Sequence, residues 1–302
     1  MARRFNRKPL TDEERDARRK ADRDRIEQAA RALLTTDGWQ RWIKVRASNG
    51  LSRYSLGNQM ILAIEAYRRG FTLTYVAGFR AWLQLNRVPR KGEGIQILAP
   101  VTIKDRDEHN EQTGSKRVFF KTVTVWDVTG TDPLPGKEPV PLAPPAEPIT
   151  GDSHHHRIAP LIAHAAELGY SVEIRDLPEH GPGGWCDATR RQIVVASGSA
   201  NQQVRTLTHE LAHAHGVGYE QYTRAQAEVL VDCVTYCVLG SVGLDAGGES
   251  IPYIAGWGED GALDAIREYA QTIDTIARRI EDALAPAPEP ATDAIAQKAL
   301  AA

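Results

Sequence analysis

Thr208-His209-Glu210-Leu211-Ala212-His213 is the stretch on which the fold of the second half turns. Histidines four residues apart on a helix lie roughly 40° apart around the axis and one turn apart along it. Both imidazoles therefore share a face and can hold one zinc ion, while Glu210, next to the first, reaches a water on that ion. Leu207, Leu211 and Ala212 give the helix an apolar side, so the imidazoles are expected to be held rather than loose. The motif is short enough to arise by chance, and its meaning depends on a third ligand.

The next helical stretch offers one. Glu228-Val-Leu-Val-Asp232 places two carboxylates one turn apart, in a segment whose neighbours Val229, Leu230, Val231, Cys233, Val234, Tyr236 and Val238 are nearly all apolar. Such a helix is expected to be buried, and a buried acid needs a partner. The expected site is His209, His213 and Glu228 around Zn2+, with Asp232 accepting from a ligating imidazole and Glu210 as the catalytic base. His215, Tyr222 and Tyr253 are candidate donors to an oxyanion, and the sequence does not choose among them. Cys186, Cys233 and Cys237 include no CxxC pair and read as packing; His154-His155-His156 reads as a solvated tract.

The first half carries a different signal. Residues 1–135 hold 26 Lys and Arg against 16 Asp and Glu, a net +10; the remaining 11 against 23 give −12. A basic half attached to an acidic one suggests a polyanion partner for the former. Arg53-Tyr54-Ser55 with Asn58 and Gln59 at a helix start, Arg46 after Trp39 and Trp42, and Arg80, Trp82, Arg87, Arg90 and Lys91 further on interleave rings with cations. That is the composition single-stranded DNA needs, rings for bases and cations for phosphates. No helix-turn-helix, zinc-finger or RNP signature is present.

The chain has 302 residues, 42% apolar and 25% charged, without an apolar run long enough for a membrane span. Its N-terminus lacks the apolar core of a secretory signal, and three cysteines make no disulfide framework, so a cytoplasmic setting is expected. Seven prolines between 133 and 148 read as an extended spacer. The organisation expected is therefore a DNA-binding unit over 1–132 (1–25 a charged tail), a linker over 133–150, a metal-binding unit over 151–284 and a low-complexity tail over 285–302. Helices are expected over 12–46 with a break at 36–38, then over 55–69, 79–85, 157–168, 201–215, 224–240 and 263–283. Strands are expected at 73–76, 95–98, 118–128, 171–175 and 192–196. The fold class is α+β: a helical unit with a small antiparallel sheet, then a mainly helical zincin-like unit with its own small sheet.

Three motifs in order, Tyr54-Ser55-Leu56-Gly57-Asn58-Gln59, Val76-Ala77-Gly78-Phe79-Arg80-Ala81-Trp82 and Arg90 to Val101, resemble the ArdC antirestriction family, as does Val123 to Val128. The resemblance implies an N-terminal single-stranded-DNA domain shared with TraC-type plasmid primases and a gluzincin-like metallopeptidase domain carrying Thr208–His213, Glu228, Asp232 and Tyr253–Trp257. It also implies protection of incoming plasmid or phage DNA from restriction. Other expectations are a DNA-triggered regulatory zinc peptidase of ImmA/IrrE type acting on a protein substrate, and a binding protein whose zinc is structural.

Overall fold

The structure is a computed structural model describing residues 12–32, 35–47, 51, 53–106, 112–140, 142, 147–178, 180–245 and 262–285. Three helices open the chain: α1 (Asp12–Ala32), α2 (Thr36–Ala47) and α3 (Leu56–Arg69). Gly70, in the left-handed region at φ 72, closes α3 and sends its own N–H back to Ala66 and Tyr67. Then follow β1 (Val76–Gly78), α4 (Phe79–Gln84), β2 (Arg87–Pro89), β3 (Ile95–Arg106), β4 (Gln112–Asp127) and β5 (Thr131–Pro133). β3 and β4 form a long antiparallel hairpin from Ile95↔Val125 to Arg106↔Gln112, β1 lies antiparallel on the other side of β4, and β2 pairs with β5. β1 starts later than expected because Asp127 Oδ2 accepts the N–H groups of both Thr74 and Tyr75, at 2.9 and 3.1 Å, and takes them out of the ladder.

The second half runs β6 (Glu147–Pro148), α5 (Ile158–Glu167), β7 (Ser171–Arg175), β8 (Gly184–Asp187), β9 (Gln192–Ala196), α6 (Ala200–Ala214), α7 (Arg224–Ser241), β10 (Leu244–Asp245) and α8 (Ala262–Leu284). β9 is central, with β7 parallel on one side and β8 antiparallel on the other. β8 was not anticipated: its Gly-Trp-Cys-Asp follows a glycine- and proline-rich turn and shows no alternation. The proline stretch is tied at several points. Leu134 N–H donates to Asn86 O at 2.8 Å, Val140 N–H to Leu85 O at 3.1 Å, and β6 pairs with β10.

One apolar core runs through α2, α3, α6, α7 and α8, with Trp39, Trp42, Ile61, Leu62, Leu207, Leu211, Leu230 and Ile273 all at most 2% exposed. α2 meets α7 so closely that a Cβ on Gly240 would lie 2.7 Å from Ala47 O. Arg46 enters this core with no exposed surface: its Nε donates to Asp274 Oδ1 at 2.6 Å and its guanidinium forks onto both oxygens of Glu281 at 2.8 and 3.0 Å. Gln59 joins the same carboxylate, donating to Asp274 Oδ1 at 3.0 Å and accepting from Trp42 Nε1 at 3.2 Å. Arg46 had been expected on DNA; sequence gives no view of partners more than 200 residues away. Arg46→Ala removes the cation shared by two carboxylates, leaving Glu281 without its guanidinium and Asp274 with Arg278 and Gln59 alone, so it should cost about 3–5 kcal/mol by urea unfolding, whereas Arg68→Ala on the exposed side of α3 should cost under about 1 kcal/mol.

Candidate functional site

α6 is started by a side chain from outside it: Asp152 Oδ1 accepts the Ala200 N–H at 2.7 Å. α7 is started by a capping box in which Thr223 and Gln226 exchange side-chain bonds with each other's backbone. Both helices bury one flank in the core, which brings their remaining polar residues face to face. Nε2 of His209 lies 3.5 Å from Oε2 of Glu228, and Nε2 of His213 lies 3.9 Å from Oε1. One ligand atom from each of the three residues falls within 4.8 Å of the other two. The back of each imidazole is already engaged. His209 Nδ1 is 3.2 Å from Asp232 Oδ1, and His213 Nδ1–H donates to Val217 O at 2.8 Å. Those bonds fix the tautomers and turn both Nε2 atoms toward Glu228. Two imidazoles and one carboxylate with outer partners in place are a donor set that fits a zinc-like divalent cation with a position left open.

Glu210 sits on the β8 side of this cluster, 6% exposed. Burial pushes its carboxyl up to about 7 against the opposing pull of His209, with Glu228 adding to the rise. The Cys186 backbone N–H bonds to it, and a Cβ on Gly184 would come within 3.4 Å of Oε1 and 2.6 Å of Thr206 Cγ2. Gly184 is thus what lets β8 lie directly against α6. A carboxyl near 7 is suited to taking and returning a proton at neutral pH. Burial lowers His213, which favours the neutral ring a metal needs; at His209 burial is outweighed by Asp232, Glu210 and Glu228, which raise it. Burial and Glu210 push the Cys186 thiol up to about 12, so it stays protonated beside the site.

The cluster opens into a cleft of about 1000 Å³, lined by β8, by the Gly216–Gln221 turn and by Arg205 and Arg224. Trp185 and Tyr219, 37% and 57% exposed, flank it. Two expected oxyanion donors lie elsewhere. His215 turns its Nε2 to His164 Nε2 at 2.9 Å, and burial beside that ring lowers it to about 4; Tyr222 packs toward Tyr269. Neither lines the cleft, and Tyr253 falls outside the described residues. The hydroxyl that does reach the site is on Tyr219, donating to Glu228 Oε1 at 2.7 Å. Sequence reasoning passed over it because it follows a Gly-Val-Gly turn with no periodic pattern. His154, expected in a solvated tract, is buried, with Nε2 3.0 Å from Val242 O.

Several residues expected on DNA serve the fold instead. Gln59 and Trp82 have no exposed surface and Asn58 is 7% exposed. Asn58 pairs with the Leu98 backbone through both amide atoms, at 2.7 and 3.0 Å, and Trp82 Nε1 donates to Trp126 O at 3.0 Å. Asn58 shows why spacing misleads: at a helix start, a polar side chain facing a neighbouring strand has the same spacing as one facing a ligand. Arg53 and Tyr54 donate to Val76 O, and Arg87 to Thr131 Oγ1. Arg90 pairs with Asp132 at 2.8 Å while remaining exposed, and Ser55, Arg80 and Lys91 are exposed. The same half of the chain also exposes rings that were not expected on DNA. Phe79 is 48% exposed and edge-on to Trp126, Phe120 is 68% exposed, and Tyr67, at 61%, carries the Arg41 guanidinium 3.7 Å above its ring.

Residues 23–126 match the family model for the N-terminal domain of anti-restriction factor ArdC. Among solved structures, the chain is similar to the metal-free antirestriction ArdC protein of plasmid R388, with 21% identity over 76% of this chain and 82% of that one and a TM-score of 0.43. The Mn(II)-bound structure of that protein gives 20% identity, 76% and 86% coverage and a TM-score of 0.42. No curated protein matches the chain. The similarity that the comparisons carry is therefore that of residues 23–126 to the N-terminal domain of anti-restriction factor ArdC.

Proposed function

We propose that this chain is an antirestriction protein that holds single-stranded DNA on its N-terminal unit and carries a zinc-dependent peptidase centre on α6 and α7. The observation that supports it most is the convergence of His209, His213 and Glu228 beside the buried carboxyl of Glu210, at the floor of an open cleft. A divalent cation held by those three residues would lower the pKa of a water to about 7 and polarise a carbonyl.

The chain's own residues do the rest. β8 is an edge strand along the cleft, and an extended peptide can pair with those outer backbone groups that remain beside the Cys186 N–H held by Glu210, and so be oriented across the site. Glu210 accepts the proton from the attacking water and delivers it to the leaving amine. Its burial raises its carboxyl above the usual range, which favours its taking up a proton and passing it on. Asp232 and Val217 O hold the imidazoles throughout. For DNA, the support is the +10 charge of residues 1–135 together with Phe79, Trp126, Arg80 and Lys91 on one unit.

Glu228→Ala should abolish zinc binding, read by elemental analysis of the purified chain, because it removes one of three ligands. Glu210→Gln should keep the zinc and lose about 100-fold or more of turnover on a peptide library; a variant that cleaves at the wild-type rate would falsify the assigned role. For DNA, Phe79→Ala should weaken binding of the full chain to a labelled oligothymidylate by about 5-fold or more in anisotropy titrations at low salt. Wild-type affinity should fall steeply with added salt. Equal affinity for duplex and single strand would refute the single-strand assignment.

A further inference from the structure

The short turn that follows α6 holds two of the three prospective ligands. Gly216, at φ 102, and Gly218 bracket Val217, whose side chain is buried and whose carbonyl fixes His213. One residue on, Tyr219 sends its hydroxyl to Oε1 of Glu228 at 2.7 Å, while its ring stands edge-on to His213 at 6.0 Å. The other carboxylate oxygen, Oε2, is the one 3.5 Å from His209 Nε2. Glu228 is only half-buried, and among the described residues Tyr219 is the side chain that hydrogen-bonds to Oε1, with His213 Nε2 standing further off at 3.9 Å, so without the hydroxyl the carboxylate is free to turn.

We infer that Tyr219 is a positioning residue: its hydroxyl reserves Oε1 of Glu228, so that this carboxylate offers the single oxygen Oε2 to a cation shared with His209 and His213. The inference rests on the metal reading proposed above and adds to it the device that sets how Glu228 binds. A carboxylate offering both oxygens would fill the position needed for a water, whereas one oxygen leaves that position beside Glu210 open. Tyr219 thus does for Glu228 what Asp232 and Val217 do for the two histidines.

The test uses the full chain freed of metal, as wild type, Tyr219→Phe and Tyr219→Leu, titrated with Zn2+ and Co2+ against a chromophoric chelator. Visible absorption of the Co2+ form is recorded, and the thermal midpoint of each metal-free protein serves as a folding control. Tyr219 is 57% exposed, so both variants should fold. Both should bind about 10–100-fold more weakly than wild type, with a weaker and shifted Co2+ band as the second carboxylate oxygen enters. A Phe variant that matches wild type in affinity and spectrum overturns the inference while sparing the metal site. So does a Phe variant like wild type beside a weakened Leu variant, because then the ring and not the hydroxyl matters. A wild-type chain that takes up neither ion overturns the inference and the metal reading beneath it together.

Discussion

The burial of α7 is the constraint on which this molecule depends. Its apolar residues lie on nearly every side, so it must be covered by α2, α6 and α8 at once. That leaves only its first turns to carry charge, and there Glu228 and Asp232 come up against the histidines of α6. Both carboxylates stay partly exposed at the edge of the core, and the more deeply set imidazoles are oriented because they find them. The convergence of His209, His213 and Glu228 is thus a by-product of packing a hydrophobic helix. The same packing leaves Gly240 without room for a side chain.

How much of this was legible in the sequence follows from the range of each interaction. His209, His213, Glu228 and Asp232 could be read because their relations are set by helical periodicity within two adjacent elements. The helices were legible for the same reason, as was the β3–β4 pair, although the hairpin runs further than its alternating core suggested. β8 was hidden because a four-residue strand at a sheet edge is specified by what lies beneath it, Thr206 and Glu210, rather than by its own pattern. Tyr219 was hidden by the turn that carries it, and His215, two residues past His213, faces the opposite way, toward α5.

The basic half shows the reverse error. Cations and rings close together in sequence suggested a nucleic-acid surface, yet Arg46 and Trp82 are interior, and Gln59 belongs to the same buried network as Arg46. Composition reports that a segment is cationic; it does not report which cations are consumed by carboxylates from another part of the chain. The rings left outward, Phe79, Phe120 and Tyr67, were not read as a binding surface because single exposed aromatics have no sequence signature.

The bridge from Arg46 to Asp274 and Glu281 has a bearing on how this molecule is to be handled. The prolines after residue 133 invite a cut between the two units, and the cut would be misleading. Either fragment would keep one pole of a charge cluster and expose an oily facet that the other normally covers. Aggregation or loss of binding in such pieces would then speak of the scissors rather than of the intact machine.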